Sequence, residues 1–312
     1  MPESSLLQAL DLVVRYPGRR PVVALDGLDL AVPAAGITCL LGANGAGKTT
    51  LLEAASGLRT GTSGQLTVLG EAPGSAANRS RLGVMLQDGG LPGSARPREF
   101  LEYVSRLYPR PRSVAEVIDL VDIADCASTP IRRLSGGQAR RVAWAAAMIG
   151  NPAAVLLDEP TAALDPVGRS RLHEALAAER DRGTVMLVAT HLVEDVAALA
   201  DYVCVLREGR LALAGTPEEL RPRGRIDLRA PAHLAFDGLL DALPAGSTIE
   251  ESRPGHYIVR TPEDVDPAVV GTVTSWCAQH ATAPDVAVAD LGAALYEAIA
   301  GEASTSRREG ER

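Results

Sequence analysis

Residues 42–49 constrain the fold of this chain more than any other part of its sequence. They read GANGAGKT and fit the pattern G-x-x-x-x-G-K-[ST], directly after the apolar run Ile37–Leu41. This order predicts a buried strand, a glycine-rich turn and a helix that begins at the turn, so that successive backbone N–H groups converge on phosphate oxygens. Lys48 supplies a point charge to the β- and γ-phosphates, and Thr49 offers a hydroxyl to Mg²⁺.

One compositional fact supports this interpretation. Lysine and arginine together number 31, and Lys48 is the single lysine among them. Every other Lys or Arg position carries arginine, so residue 48 is the one position whose side chain is a primary amine. A compact ammonium group suits a phosphate-binding loop because it acts as a point charge.

A second motif places two carboxylates at the end of another apolar run. Residues 153–157 are apolar, as expected of a buried parallel strand, and Asp158 and Glu159 follow them. Asp158 can hold Mg²⁺, often through water, and Glu159 can act as a general base on an attacking water. An isolated Asp-Glu pair could equally be an ordinary acidic turn, but the phosphate-binding loop upstream favours the catalytic interpretation.

The overall composition excludes some functions. The formal net charge is −8 and the isoelectric point is near 5.3, whereas duplex nucleic-acid binders usually carry a basic excess, so we expect no nucleic-acid partner. The first residues do not resemble a signal peptide, and no run reaches the ~20 apolar residues of a membrane span, so we expect a soluble, cytoplasmic chain. The four cysteines are widely spaced and are expected to be reduced and mostly buried.

The order of the predicted elements indicates a large first domain at residues 1–222. Its strands are predicted at 10–14, 22–30, 37–41, 66–68, 153–157, 185–189 and 203–206, and its helices at 98–120 and 192–199. Helices alternating with apolar strands predict a parallel sheet that is covered on both faces.

The segment 221–225, RPRGR, is typical of a linker and introduces a small α+β domain at 223–300. Its strands are predicted at 226–228, 248–250, 257–259 and 286–288, and its helices at 233–243, 268–281 and 291–300. Residues 301–312 contain no apolar side chain larger than that of Ala303 and are predicted to form a disordered tail.

Residues 134–138, LSGGQ, match the signature of the ABC ATPase family. The family's other motifs follow in order: Gln87 stands at the position of the Q-loop, residues 163–165 (ALD) resemble the D-loop, and His191 resembles the switch histidine. Tyr16 resembles the aromatic residue that stacks on adenine. The resemblance covers residues 5–220 and implies an α/β fold of the P-loop NTPase ABC cassette type, with a mixed sheet flanked by helices and a helical subdomain.

The resemblance also implies which residues act. In the family, the signature of one subunit covers the γ-phosphate held by another, so we expect a dimer, most simply a homodimer, with ATP and Mg²⁺ between its subunits. The expected catalytic residues are Glu159, His191, Gln87 and Lys48, and the expected Mg²⁺ ligands are Thr49, Gln87 and Asp158. The expected nucleotide contacts are Tyr16, Gly42, Ala43, Asn44, Gly45, Ala46, Gly47, Lys48, Thr49, Thr50, Ser135, Gly136, Gly137, Gln138 and Asp165.

The function that the resemblance implies is that of the ATP-hydrolysing subunit of an ABC transporter. Such a subunit is peripheral at the inner face of the cell membrane and drives a separately encoded transmembrane permease, which region 88–108 would contact. The runs 159–169 and 87–91 resemble exporter subunits and favour export. Residues 226–300 resemble the accessory domain of such subunits, but the run 290–296 (DLGAALY) departs from the family's closing motif.

Two other functions stay open at this point. One is a soluble ABC ATPase without a membrane partner, although such proteins usually carry two cassettes or long insertions that this sequence lacks. The other is a small-molecule kinase, which shares the phosphate-binding loop but has no use for the LSGGQ run.

Overall fold

The computed structural model describes residues 5–61, 63–87, 90–280 and 284–301. The chain divides into two units, one made of residues up to Pro217 together with those from Ala298 onward, and the other of Glu218–Glu297. The boundary predicted between residues 222 and 223 lies a few residues beyond this division. The tail predicted at 301–312 falls, apart from Gly301, outside the described residues.

The described strands of the first unit form two sheets. In chain order they are β1 (Ser5–Tyr16), β2 (Val22–Pro33), β3 (Ile37–Leu41), β4 (Ser63–Val68), β5 (Leu82–Met85), β6 (Ala154–Asp158), β7 (Val185–Thr190), β8 (Tyr202–Arg207) and β9 (Arg210–Gly215). One sheet is antiparallel with the order β2-β1-β4, and the other has the order β5-β6-β7-β3-β8-β9. Only β9 runs antiparallel to its neighbour in the second sheet, which is therefore mixed.

The described helices of the first unit connect these strands. In chain order they are α1 (Lys48–Ser56), α2 (Ala76–Arg79), α3 (Pro97–Ser105), α4 (Val114–Leu120), α5 (Gly136–Met148), α6 (Pro166–Asp181) and α7 (Val193–Leu199), and α8 (Pro217–Leu220) follows at the junction. The helical pattern predicted at 98–120 forms two helices, α3 and α4, rather than one continuous helix. Pro109 and Pro111 lie between them and cannot continue a helix.

The register of the central strands positions the site. β3, β6 and β7 are apolar and buried at nearly every position, as strands covered on both faces are. β7 lies between β6 and β3 and is parallel to both. The carboxyl ends of three neighbouring strands therefore lie side by side, and the segments that follow them begin at Gly42, Glu159 and His191.

The sequence pattern does not predict two strands of this sheet. β5 has four residues and includes Gly83, where a Cβ atom would lie 2.2 Å from the carbonyl oxygen of Ala147 in α5, so the close approach requires glycine. β9 follows β8 through a two-residue turn in which Glu208 and Gly209 both have positive φ (52° and 76°). The sequence Glu-Gly lacks the asparagine or aspartate that usually marks such a turn.

The second unit is built on a four-stranded antiparallel sheet. Its strands are β10 (Arg225–Arg229), β11 (Thr248–Arg253), β12 (His256–Arg260) and β13 (Asp285–Val288), in the order β11-β12-β10-β13. Its helices are α9 (Leu239–Ala242), α10 (Pro267–His280) and the start of α11 (Leu291–Ala300).

The helix predicted at 233–243 is wrong except for the single turn of α9. His233 and Gly238 both adopt left-handed backbone conformations, with φ of 58° and 75°, which interrupts a helix. The Tyr257 hydroxyl holds the irregular segment, because it donates to the Pro231 carbonyl at 2.8 Å and accepts from the Leu234 N–H at 2.8 Å. The hydrogen bonds to this buried tyrosine, and not the apolar spacing of the segment, thus determine its backbone conformation.

Two further expectations concern the cysteines and the membrane. Cys39, Cys126, Cys204 and Cys277 are buried and none is in a disulfide. Within the described ranges, no helix combines the length and the apolar character that crossing a bilayer would require.

Candidate nucleotide-binding and catalytic site

The predicted phosphate-binding loop connects β3 to α1. Gly47 caps α1 with φ of 105°, and a Cβ atom there would lie 2.6 Å from the Ala24 carbonyl oxygen, so this position requires glycine. The cap contributes no side chain, so the first N–H groups of α1 have no side-chain acceptor within the cap. The loop is therefore built to present backbone donors to an anion.

Lys48 is buried within this loop. Its Nζ donates to the Gly42 carbonyl at 2.7 Å and to the Ala43 carbonyl at 3.2 Å, and lies 3.6 Å from Oε1 of Glu159. Burial lowers the pKa of the Lys48 ammonium, while the charges of Glu159 and Asp158 act in the opposite direction. The amine is thus held at the end of β3, facing the two carboxylates at the end of β6.

Asp158 ends β6 as a buried carboxylate. Neither of its oxygens accepts a hydrogen bond from the described residues. Burial raises the pKa of Asp158, and the neighbouring Thr49 hydroxyl and the cations Lys48 and Arg140 oppose this rise. A buried carboxylate without hydrogen bonds is costly unless a cation accompanies it.

These features fit a magnesium ion. Mg²⁺ is commonly held by one or two carboxylates together with substrate phosphates and water, rather than by an all-protein cage. In the described part of the chain no group of three or more His, Cys, Asp or Glu side chains could hold a metal. Asp158 and Thr49 are the side chains placed to hold Mg²⁺ if phosphate oxygens and water complete its coordination.

Glu159 and His191 form a hydrogen-bonded pair at the ends of neighbouring strands. Oε2 of Glu159 lies 2.8 Å from Nδ1 of His191, and the backbone N–H of Glu159 donates to the Ala189 carbonyl at 2.9 Å. The carboxylate is 9% exposed and the imidazole 44% exposed. Glu159 has φ of 50°, a conformation that costs a non-glycine residue free energy and is common at active sites. Its carboxylate therefore faces Lys48 with one oxygen and His191 with the other.

The LSGGQ run ends at the start of α5. The Ser135 hydroxyl accepts the Gln138 N–H at 3.2 Å, and the Ser135 N–H donates to Oε1 of Gln138 at 3.0 Å, which is a capping box. Ser135 and Gly136 are exposed, whereas Gly137 packs so closely on residues 163–164 that a Cβ atom would lie 3.0 Å from the Leu164 side chain. The side chains of Ser135 and Gln138 thus shape the helix start.

The LSGGQ residues line a cleft with the predicted D-loop. Residues 135–138 and 163–165 lie on its walls, and no residue of the phosphate-binding loop does. Asp165 caps α6 by accepting the Gly168 N–H at 2.7 Å. The structure therefore brings Lys48, Glu159 and His191 together, while the signature and the D-loop line a cleft that contains none of these three residues.

Tyr16 lies close to the phosphate-binding helix. Its hydroxyl is 3.0 Å from the Thr50 hydroxyl and donates to Oε2 of Glu53 at 3.3 Å. The Arg59 guanidinium lies 4.1 Å from the ring centroid, a cation–π arrangement, and Arg59 also donates to Glu53 at 2.7 Å. The predicted adenine contact is thus anchored to α1 at its hydroxyl and carries a cation on one ring face.

Gln87 follows β5 and is exposed. Its backbone carbonyl accepts from Nη1 of Arg140 in α5 at 3.4 Å, so the predicted Q-loop begins next to the signature helix. The rest of the predicted contact region, 88–108, starts with two residues outside the described ranges.

The sequence motifs do not include Thr161, Thr190 and Asp195, which are buried beside the Glu159–His191 pair, with both threonine hydroxyls donating to the Asp195 carboxylate. Nε2 of His173 also lies 3.0 Å from the Asp195 carboxylate. No spacing rule connects these four positions, because they come from the segment after β6, the end of β7, and helices α6 and α7, which only the folded chain brings together.

Because Lys48 is the single lysine, its chemical modification can report whether nucleotide is bound at the phosphate-binding loop. We expect an amine-acylating reagent to modify Lys48 slowly, because the side chain is 6% exposed. Nucleotide at 100 times its Kd should slow the modification about 100-fold, since only the unbound fraction reacts. Peptide mass mapping over time tests this, with the chain's α-amine as the internal control. Equal modification of Lys48 with and without nucleotide would contradict the placement of phosphates at this loop.

Several known proteins are similar to this chain in sequence. The family model described as "ABC transporter" matches residues 25–162. The daunorubicin resistance ATP-binding protein DrrA3 of Streptomyces coeruleorubidus is 37% identical over 215 residues, which cover 66% of this chain and 68% of that protein. The Fe(3+) ions import ATP-binding protein FbpC of Streptomyces coelicolor is 35% identical over 254 residues, covering 79% and 72%.

A solved structure shows the same fold. The protein cbiO1 from Clostridium perfringens, described as part of the ABC transporter complex cbiONQ, superposes with a TM-score of 0.59 at 28% identity. The superposition covers 70% of this chain and 91% of that one. The predicted α/β cassette fold is therefore confirmed.

Proposed function

Because this chain belongs to the ABC transporter family of ATP-binding proteins, we propose that it hydrolyses ATP at the site formed by Lys48, Asp158, Glu159 and His191 and that the hydrolysis drives transport through a separate permease. One observation carries the proposal: Glu159, held in a strained conformation, lies between the Lys48 ammonium and the His191 imidazole at adjacent strand ends. A carboxylate in that place suits a general base aimed at a water beside the γ-phosphate.

The chain's own residues divide the work of phosphoryl transfer. Lys48 and the N–H groups of residues 42–49 bind the phosphates. Glu159 orients the attacking water and accepts its proton while the water oxygen bonds to the γ-phosphorus, the bond from that phosphorus to the β–γ bridging oxygen breaks, and ADP leaves. Because an ionised carboxylate only accepts hydrogen bonds, Nδ1 of His191 carries the proton of the bond to Glu159, and Nε2 faces away from that carboxylate. Asp158 and Thr49 would hold Mg²⁺, whose charge offsets that of the phosphate oxygens.

We further propose that two copies of the chain form the working unit, with ATP between them. The support is the exposure of the signature: Ser135 and Gly136 are exposed at the start of α5, and no residue of the phosphate-binding loop lines the cleft that they form with the D-loop. Backbone N–H groups at an exposed helix start suit an anion that another subunit presents. Tyr16 is the proposed adenine contact, and Gln87 is the proposed reporter of the γ-phosphate.

Ser135→Arg tests this arrangement. We expect it to abolish ATP hydrolysis, by about 100-fold or more, with little loss of ATP binding to the monomer, because the bulky cation obstructs the partner's nucleotide rather than its own. Steady-state ATPase assays and equilibrium binding of a fluorescent ATP analogue measure the two effects.

Ser113→Arg is the matched control for this variant. Ser113 is also exposed and also caps a helix, because it accepts the Glu116 N–H at 3.1 Å at the start of α4. Loss of either cap costs about 1 kcal/mol of stability, so both variants share that effect. Normal hydrolysis by Ser135→Arg, or equal loss in both variants, would contradict the trans role of the signature.

The finer aspects of transport are also proposals. We propose a transmembrane permease as partner, a peripheral position on the inner face of the cell membrane, and export as the direction. The Nod factor export ATP-binding protein I of Rhizobium meliloti, 36% identical over 221 residues, is named for export and supports this direction, while FbpC, at nearly the same identity, is named for import. Co-purification from membranes with a permease supports the transporter, whereas full ATPase activity with no membrane partner in the native host would favour a soluble ABC ATPase.

A further inference from the structure

A buried carboxylate next to the proposed catalytic pair is not used by the mechanism above. Asp195, in α7, is 0% exposed. Its Oδ2 accepts hydrogen bonds from the Thr161 hydroxyl at 2.6 Å and the Thr190 hydroxyl at 2.8 Å, and its Oδ1 lies 3.0 Å from Nε2 of His173. One side chain thereby joins the segment after β6, the end of β7 and helix α6.

Both threonines are close in the chain to the catalytic pair. Thr161 follows Glu159 by two residues, and Thr190 directly precedes His191. The Thr190 hydroxyl also accepts the Leu192 N–H at 3.1 Å, so it connects the residue before His191 to two residues that follow it. Because both hydroxyls are buried, a shift of either segment would break a bond that water cannot replace.

The charge on Asp195 strengthens this arrangement. Burial raises the pKa of its carboxyl, but hydrogen bonds from His173, Thr161 and Thr190 outweigh that effect and hold the pKa below its usual range. Hydrogen bonds to an ionised group are shorter and stronger than those between neutral groups, as the distance of 2.6 Å from Thr161 shows. The three hydrogen bonds therefore stabilise the buried charge of Asp195 and at the same time fix the positions of Thr161, Thr190 and His173.

We propose that Asp195 is a positioning residue, which holds Glu159 and His191 in the orientation for hydrolysis through its bonds to Thr161 and Thr190. The inference deepens the proposed ATPase function and rests on it. Glu159 keeps φ of 50° only if its surroundings fix it, and His191 is 44% exposed and so has little packing of its own. The hydroxyl bonds to Asp195 supply this constraint from within the fold.

Removing one hydroxyl at a time tests the proposal. We expect Thr161→Val and Thr190→Val to lower kcat for ATP hydrolysis about 10- to 100-fold, because a small displacement of a reacting group is costly. The Kd for ATP should change less than about threefold, since the P-loop contacts are untouched. Thr38→Val is the matched control: Thr38 is also buried in the central sheet, on β3, but its hydroxyl has no hydrogen-bond partner among the described residues.

Variants of Asp195 separate positioning from stability. Asp195→Ala should lose kcat as the threonine variants do. Asp195→Asn should recover it to within about threefold of wild type, because its amide oxygen can accept both hydroxyls and its NH₂ can donate to neutral His173. Glu179→Gln is the control for stability. Glu179 is as buried as Asp195, but its carboxylate pairs with Arg112 (Oε2 to Nη2, 2.7 Å) and, within the described residues, forms no hydrogen bond or ion pair with a residue of the site. If Asp195→Ala lowers Tm like Glu179→Gln and leaves kcat unchanged, the positioning role is wrong.

A second readout does not depend on hydrolysis. Hydrogen exchange measured by mass spectrometry should rise in peptides covering residues 159–165 and 188–193 in Thr190→Val, and stay unchanged there in Thr38→Val. Unchanged exchange in both variants contradicts the constraint that Asp195 supplies. If wild-type protein does not hydrolyse ATP while exchange rises as expected, the proposed function fails and the constraint stands.

Discussion

Glu159→Gln lowers the rate of ATP hydrolysis about 10²- to 10⁴-fold, the range that a general base contributes. The amide has the shape of the carboxylate but cannot accept the proton of the attacking water. ATP affinity stays within about threefold of wild type, because Lys48 keeps its bond to the Gly42 carbonyl and one negative charge beside the phosphates is removed. Steady-state ATPase assays and binding of a fluorescent ATP analogue measure both quantities.

The control for this prediction is Glu194→Gln. Glu194 is exposed in the first turn of α7, near His191 in the chain, so its substitution changes the net charge equally. We expect its ATPase rate to stay close to wild type. A rate for Glu159→Gln within tenfold of wild type would remove Glu159 from the role of base.

Lys48→Ala weakens ATP binding about 10- to 100-fold. The ammonium group is expected to make charged hydrogen bonds to the phosphates, which are worth about 1.5–3 kcal/mol each, and a tenfold change in Kd corresponds to about 1.4 kcal/mol. Equilibrium binding of the fluorescent analogue at fixed ionic strength measures the effect.

Glu159→Gln is also the control for Lys48→Ala, because both variants break the ion pair between Nζ of Lys48 and Oε1 of Glu159. If loss of the ion pair caused the weaker ATP binding, both variants would bind ATP weakly. We expect only Lys48→Ala to do so. An affinity of Lys48→Ala within threefold of wild type would contradict phosphate binding at this loop.

Much of the fold follows from local patterns. The apolar runs predict β3, β6, β7 and β8 to within a residue or two at either end, because strands buried on both faces admit few polar side chains. The patterns fail where the backbone departs from its regular conformation. Residues 233–238 have the apolar spacing of a helix, but Tyr257 holds them in an irregular path.

The candidate site is predictable to the extent that its motifs are continuous in sequence. Each of three site residues, Lys48, Asp158 and Glu159, lies in a continuous sequence motif whose chemistry is recognisable, so the sequence alone predicts them. Asp195 could not, because its role depends on hydroxyls from two other segments. An acidic residue in a short helix ordinarily indicates a solvated face.

The central claim is that ATP joins two copies of this chain, and light scattering coupled to size exclusion on Glu159→Gln tests it most directly. The variant should elute as a monomer of about 32.6 kDa without ATP and as a species of twice that mass with MgATP, because nucleotide binding persists while hydrolysis does not. The same variant carrying Ser135→Arg should remain monomeric under both conditions. A mass that ATP does not change, with binding of ATP demonstrated in the same sample, would contradict the ATP-joined dimer.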